Sequence, residues 1–292
     1  MFDLVIRNGT VVDGTGSPGF AADVAVQEGR VVAIGEVSES GKQEIDATGL
    51  TVAPGFVDVH THFDAQVFWD QTLSPSPLHG VTTVISGNCG FTIAPLEPEH
   101  GDYMMQMLAR VEGMPLTSLQ EGVPWNWRTF EEYLQAIDGT LMPNAGFLVG
   151  HSALRRTVMG ERSVGEFASE EELQKMKDLL AQSIDAGGLG FSSSWAKTHN
   201  DADGEAVPSR HASQDELIEL CSVLKDSDAV ALEFIPTIER FDEEVYQLLT
   251  DMSVAADKPL NWNVIFVNAR QSEAIEEKLQ ASNFAAEQGG RV

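Results

Sequence analysis

Residues 54–64 read Pro54-Gly55-Phe56-Val57-Asp58-Val59-His60-Thr61-His62-Phe63-Asp64: a Pro-Gly break, an apolar strand, and two histidines one residue apart at its end. Side chains at i and i+2 of an extended segment project to the same side, so both imidazoles can reach one cation. If this strand opens a parallel α/β barrel, its carboxyl end faces the mouth where such barrels carry their chemistry. A hydrogen-bonded pair of loop histidines is the plainer alternative.

Upstream, residues 1–53 hold short apolar runs punctuated by Asn8-Gly9 and Glu28-Gly29, which read as the hairpins of a small β domain. Downstream, residues 54–292 alternate apolar runs with helical patterns, the signature of a parallel sheet with crossover helices. Strands are predicted at about 55–60, 81–87, 145–150, 187–192, 229–235 and 259–267. Between them Thr129 with Glu132, Ser169 with Glu172, and Ser213 with Glu216 have the spacing of a reciprocal capping box. Leu173, Met176, Leu180 and Ile184 recur at helical spacing, as do Leu217, Cys221 and Leu224, so Cys221 reads as core. A sixth helix runs from about Ser272 to Glu287, and Arg291-Val292 resemble the start of another strand.

Six strand–helix units fall short of the eight units and ~250 residues of a closed barrel. Two units are therefore expected beyond Val292, and the chain reads as an N-terminal fragment, because an unclosed barrel would expose two strand edges. The stretch 89–128 is too long for an ordinary connection and reads as a functional loop or lid. Its Met104, Met105, Met107, Trp125 and Trp127 suit an apolar pocket, or else ordinary core packing.

Composition narrows the partners. The 292 residues carry 45 Asp plus Glu against 18 Lys plus Arg, a formal charge of −27, which repels phosphate backbones and anionic lipid. No nucleic-acid or membrane partner is expected. A hydrophobic fraction of 42% is enough to bury a core. Two cysteines, Cys89 and Cys221, are too few for a disulfide framework and fit the cytoplasm. Neither an export leader nor an apolar run of about 18 residues is evident.

A second string, Thr82-Thr83-Val84-Ile85-Ser86-Gly87-Asn88-Cys89-Gly90, again ends an apolar strand and brings a thiol to the next loop. A thiolate is a strong zinc ligand, so Cys89 can be a third ligand, or else a small hydrophobe at a strand end. Gly87 and Gly90 allow close approach at the turn.

Together the N-terminal β segment, the 54–64 string and Ser86-Gly87-Asn88-Cys89-Gly90 resemble the amidohydrolase superfamily, specifically its N-acyl-D-amino-acid deacylase branch. The resemblance implies a (β/α)8 TIM barrel of the metal-dependent hydrolase type, here incomplete at about six of eight units, with a small N-terminal β-sandwich domain. It also implies zinc, as one or two divalent ions, held by His60, His62 and Cys89. Gly150-His151-Ser152-Ala153-Leu154-Arg155 and Gly188-Leu189-Gly190-Phe191-Ser192-Ser193 are similar to the family's third and fourth strands. There His151 and Ser192 to Ser194 would touch substrate, or form a hydrogen-bonded structural turn.

The chain departs from the family on strands five and six, where histidine ligands are usual. Glu233 stands where one would be, as a conditional fourth ligand or an ordinary ion-paired acid, and Asn263 stands where the other would be. The family's catalytic aspartate sits on the eighth strand, beyond Val292, so no catalytic base is assigned. Asp58 and Asp64 are expected to orient the neighbouring imidazoles. His79, His100, His199 and His211 read as solvated loop residues.

The activity implied is hydrolysis of a linear C–N amide by metal-activated water, with an N-acyl-D-amino acid as the small-molecule substrate. A cyclic amidohydrolase of the hydantoinase or dihydroorotase kind is the alternative. Its usual strand-four lysine is absent from Ser192-Ser193-Ser194. A non-catalytic homologue or inert fragment is the third possibility.

Overall fold

The computed structural model describes residues 1–228, 230–267 and 272–292. The chain divides into two compact units, Met1–Phe56 and Val57–Val292.

In the first unit β1 (Phe2–Val11) is central, because it pairs antiparallel with β2 (Phe20–Gln27) and parallel with β4 (Gly41–Asp46) and β5 (Thr51–Val52). β3 (Arg30–Gly35) pairs antiparallel with β2, which gives the order β3-β2-β1-β4. Val5, Ala25 and Val37 form its small core. Glu28-Gly29 is the expected hairpin, with φ of 51° and 71°, the positive pair that a two-residue turn of this hand requires.

The expected hairpin at Asn8-Gly9 is not one. β1 runs straight through it, and Asn8 adopts φ 62° at a β-bulge where the register against β2 shifts between Ile6 and Gly9. The reason is pairing on both sides: Thr10 and Val11 beyond the bulge bond to β5, and the Asn8 N–H donates to Asp23 Oδ1 at 2.9 Å. Reversing the chain there would forfeit both.

The second unit opens with β6 (Phe56–Asp58), followed by β7 (Val81–Ser86), β8 (Asn144–Phe147), β9 (Val149–Gly150), β10 (Gly190–Ser194), β11 (Ala231–Ile235) and β12 (Leu260–Trp262). They form sheets in the orders β6-β7-β8 and β9-β10-β11-β12, separated only by Leu148, and the pairings from β7 onward are parallel. The strand predicted at 229–235 starts at Ala231, and position 229 lies outside the described residues. The one predicted at 259–267 is shorter, ending at Trp262.

Helices α1 (Gly101–Val111), α2 (Leu116–Gly122), α3 (Phe130–Ile137), α4 (His151–Met159), α5 (Glu170–Asp185), α6 (Gln214–Ser222), α7 (Glu243–Ala256) and α8 (Ser272–Glu287) connect the strands. Thr129 and Glu132 close a reciprocal box on α3, as do Ser169 and Glu172 on α5. On α6 only half of the box forms. Ser213 accepts from the Glu216 N–H at 3.1 Å, but the Glu216 carboxylate turns inward to His151 and Arg155.

The segment 89–128 carries α1 and α2 and is built into the core rather than hinged over a pocket. Met104, Met107 and Trp127 are buried, Trp127 stacks 5.1 Å from Phe68, and its indole N–H donates to the Ile93 carbonyl at 2.7 Å. Core packing is therefore the role of these side chains, since a buried indole that has found an acceptor is part of the interior. Cys221 is also core. Among the described residues no helix is long and apolar enough to cross a membrane.

Candidate metal centre

After β6 the chain stays extended alongside β7. Thr61 donates its N–H to the Ile85 carbonyl at 3.0 Å, and its hydroxyl lies 2.8 Å from Ser86 Oγ. Thr61 is thereby pinned and buried on one side, and the period-two geometry sends His60 and His62 to the other. Their ring centroids are 5.2 Å apart.

β7 ends at Ser86, and the φ of 79° at Gly87 lets the chain turn where a Cβ would sit 2.4 Å from the Leu148 carbonyl oxygen. Cys89 follows in left-handed backbone, φ 59°, and directs Sγ to 3.4 Å from His60 Nε2 and 3.8 Å from His62 Nε2. One donor atom from each of His60, His62 and Cys89 lies within 4.8 Å of the others. Ligand atoms around a tetrahedral zinc, bonded at about 2.0–2.3 Å, stand about 3.3–3.8 Å apart, so the spacing suits the ion.

The electrostatics suit it as well. Burial lowers the His60 pKa, and burial together with the nearby His60 and His199 holds His62 at about 3, so both rings favour the neutral form that a metal would need. Burial raises the Cys89 thiol well above its ordinary value, and Glu233, Glu112 and Asp64 push it the same way. Only a cation would make the thiolate stable there.

Glu233, expected as a conditional ligand, stands outside this group. Its Oε2 accepts from the Cys89 backbone N–H at 2.6 Å, its Oε1 accepts from the Asn263 amide, and burial raises its pKa to about 8. Ser192 is also behind the site: its hydroxyl accepts from the Gly90 N–H at 3.0 Å and donates to the Gly87 carbonyl, bracketing Cys89. His151 is fully buried with both nitrogens engaged, Nδ1 at 2.8 Å from Ser193 Oγ and Nε2 at 2.8 Å from Glu216 Oε1.

Two expectations about neighbours fail. Asp58 meets the His60 backbone N–H and Ser76, and Asp64 accepts from the Gly87 N–H at 3.0 Å, so neither orients an imidazole. The carboxylate facing His62 is Glu112, its Oε1 3.6 Å from Nδ1. No sequence signal marks Glu112, which lies fifty positions away on another element. His199 is not solvated either: Nδ1 lies 2.7 Å from Ser194 Oγ, the ring packs on Phe91, and burial lowers its pKa to about 4, with Arg210 and His60 adding to the shift. His211 is also partly buried, with Nε2 3.1 Å from the Ala206 carbonyl. The position of His199 just after the carboxyl end of β10 was the available sign.

Residues 43–289 match the amidohydrolase family. The chain belongs to that family. A D-aminoacylase of Alcaligenes xylosoxydans xylosoxydans is 35% identical over 225 residues, covering 76% of this chain and 42% of the relative. A solved D-aminoacylase with a binuclear metal centre superposes with a TM-score of 0.75 at 30% identity, covering 100% of this chain and 57% of that one. An N-acyl-D-glutamate deacylase from Bordetella bronchiseptica, complexed with zinc and a phosphonate inhibitor, gives 0.74 at 26% identity, again covering 100% and 57%. The chain thus spans about two fifths of the length of the curated relative it matches.

Proposed function

We propose that the protein is a metal-dependent hydrolase of linear C–N amide bonds whose substrates are N-acyl-D-amino acids. The observation that carries this reading is the convergence of His60, His62 and Cys89 in a member of the amidohydrolase family. Its likeness to a D-aminoacylase supplies the substrate class. A zinc ion bound by the three would supply Lewis-acid polarisation of the scissile carbonyl and a water acidified to near neutrality. Glu233 and Ser192 keep the Cys89 turn in place, and His151 is occupied by Ser193 and Glu216 behind it. No described residue is assigned the proton transfer to the leaving nitrogen.

The reading includes an incomplete barrel of six units. Val57 and Val59 on the β6 side are 56% and 60% exposed, and a cavity of ≈ 520 Å³ lined by Val59, Ile85, Leu148, Leu189, Leu232 and Leu260 opens on the inner face. Two further units would fill and cover it. On the β12 side the Arg291 carbonyl already accepts from the Leu260 N–H at 2.8 Å, as the first residue of a neighbouring strand would. The N-terminal sheet is, on this reading, one layer of a β-sandwich completed elsewhere, and the setting is cytoplasmic, in keeping with two buried free cysteines. β10 presents Ser192, Ser193 and Ser194 in place of a metal-bridging lysine, which favours linear over cyclic amides.

The test is a substrate panel with metal analysis. Expected are bound zinc and release of amino acid from N-acetyl-D-amino acids, with little from their L-enantiomers or from hydantoins. Hydantoin opening in place of deacylation would overturn the substrate class, and metal-independent turnover would overturn the mechanism.

A further inference from the structure

A ligating imidazole gives one nitrogen to the ion, and its other N–H needs an acceptor that fixes tautomer and ring orientation. His62 turns Nε2 toward Cys89 Sγ, which leaves Nδ1. That Nδ1 is shut off from solvent and has no hydrogen-bond partner among the described residues. Buried polar atoms are rarely left so. Asp58 accepts from the His60 N–H and Asp64 Oδ2 from the Gly87 N–H, neither carboxylate hydrogen-bonds to Nδ1, and the acid that Nδ1 faces is Glu112 at 3.6 Å, with 16% of its side chain exposed.

Glu112 is well placed to act on the ring. It closes α1, its N–H donating to the Leu108 carbonyl at 2.9 Å, and Met104, Met107 and Leu108 of that helix are buried in the core. The backbone is therefore anchored while the carboxylate swings on its own torsions. The present separation exceeds an N–H···O bond by about 0.6 Å, a gap that a small torsional change closes.

We propose that Glu112 is a positioning residue of the metal centre, its carboxylate accepting the Nδ1–H of His62. A neutral imidazole has one N–H. With the proton on Nδ1, the Nε2 lone pair points at the space shared with Cys89; with the proton on Nε2, that donor is lost. The proposal rests on the metal reading above, and its test separates the two.

The experiment uses protein labelled with 15N-histidine. Long-range 1H–15N spectra of the metal-free protein report the His62 tautomer, and Co2+ titration followed by the thiolate-to-cobalt absorption reports affinity. In the unsubstituted protein His62 should carry its proton on Nδ1. Glu112→Gln keeps an acceptor oxygen and should keep both tautomer and affinity within a few-fold, whereas Glu112→Leu should mix the tautomers and weaken Co2+ binding about 10–100-fold. A helix-capping role alone would lower Tm and leave the tautomer unmoved. An Nε2–H tautomer in the unsubstituted protein overturns the proposal without recourse to any variant, as does Glu112→Leu with unchanged tautomer and affinity. If the unsubstituted protein takes up no Co2+, the metal reading fails, and the metal-free spectra still decide the role of Glu112.

Discussion

Cys89 is held at φ 59° and ψ 15°, backbone that a β-carbon disfavours by roughly 1–2 kcal/mol. Its surroundings enforce it: Glu233 from β11 takes the Cys89 N–H, Ser192 from β10 ties Gly87 to Gly90, and the Asn88 amide donates to the Thr61 and Ile85 carbonyls. Strain of this kind persists only where several contacts agree on it. Cys89→Ala should therefore keep the turn and lose the sulfur, weakening zinc by about 100-fold or more in a chelator competition while Tm of the metal-free protein barely moves. Glu216 is the second decisive residue. It is buried against Arg155, with Nη1 at 2.6 Å from both carboxylate oxygens. Glu216→Ala leaves that guanidinium without a counter-charge and should cost about 3–5 kcal/mol in urea unfolding. Burial alone would raise the Glu216 pKa, but His151 and Arg155 together outweigh it and hold the carboxyl below its ordinary 4.5. A depressed folded-state pKa contributes stability above the unfolded value and loses it as pH falls through the folded one. Between pH 4.5 and the acid limit, then, Glu216→Gln should lose stability less steeply than the unsubstituted protein.

At the scale of elements, the bulge in β1 is the informative case. Asn8 is among the few residues that visit φ 62° readily, and its side chain is held there by donating to Asp46 Oδ1 on the adjacent strand β4 at 3.3 Å. A β-branched residue has no such compensation. Asn8→Val should lower stability by about 1–2 kcal/mol, whereas Asn8→Gly should be close to neutral, both read from chemical denaturation. An equal effect for the two would mean that the side-chain hydrogen bond, and not the backbone, governs the bulge. The same dipeptide signal, Asn-Gly, that marks a hairpin in isolation here marks a strand that continues, because both flanks find partners. Helix ends were more legible. Thr129 with Glu132 and Ser169 with Glu172 cap as their spacing requires, and Ser213 with Glu216 departs because the acid has a stronger claim on it inside.

Over the whole molecule the charge of −27 is the dominant electrostatic fact. Ion pairs such as Arg162–Glu172 and Lys175–Glu171 are partly or largely exposed, each contributing about 0–1 kcal/mol that salt weakens. Repulsion among the excess acids acts against them and is screened by the same salt. With 45 acids against 18 bases repulsion should win, so Tm should rise on going from about 0.01 M to about 1 M NaCl, by about 2–4 °C for each kcal/mol relieved. A Tm that falls with salt would mean that the pairs outweigh the excess.

What the amino-acid order determined by itself is local. Apolar runs ending in His60-x-His62 and Cys89 mark strand ends because period-two geometry and turn chemistry act over a few residues, and the α/β alternation follows from the same short-range patterns. Tertiary structure alone decided which acid meets which base. Glu112 faces His62, Glu216 meets Arg155 and His151, and Glu233 backs the Cys89 turn instead of joining the donor group. Each pairing spans dozens of positions and exists only once packed helices and strands have shut out the water that would otherwise solvate those polar groups.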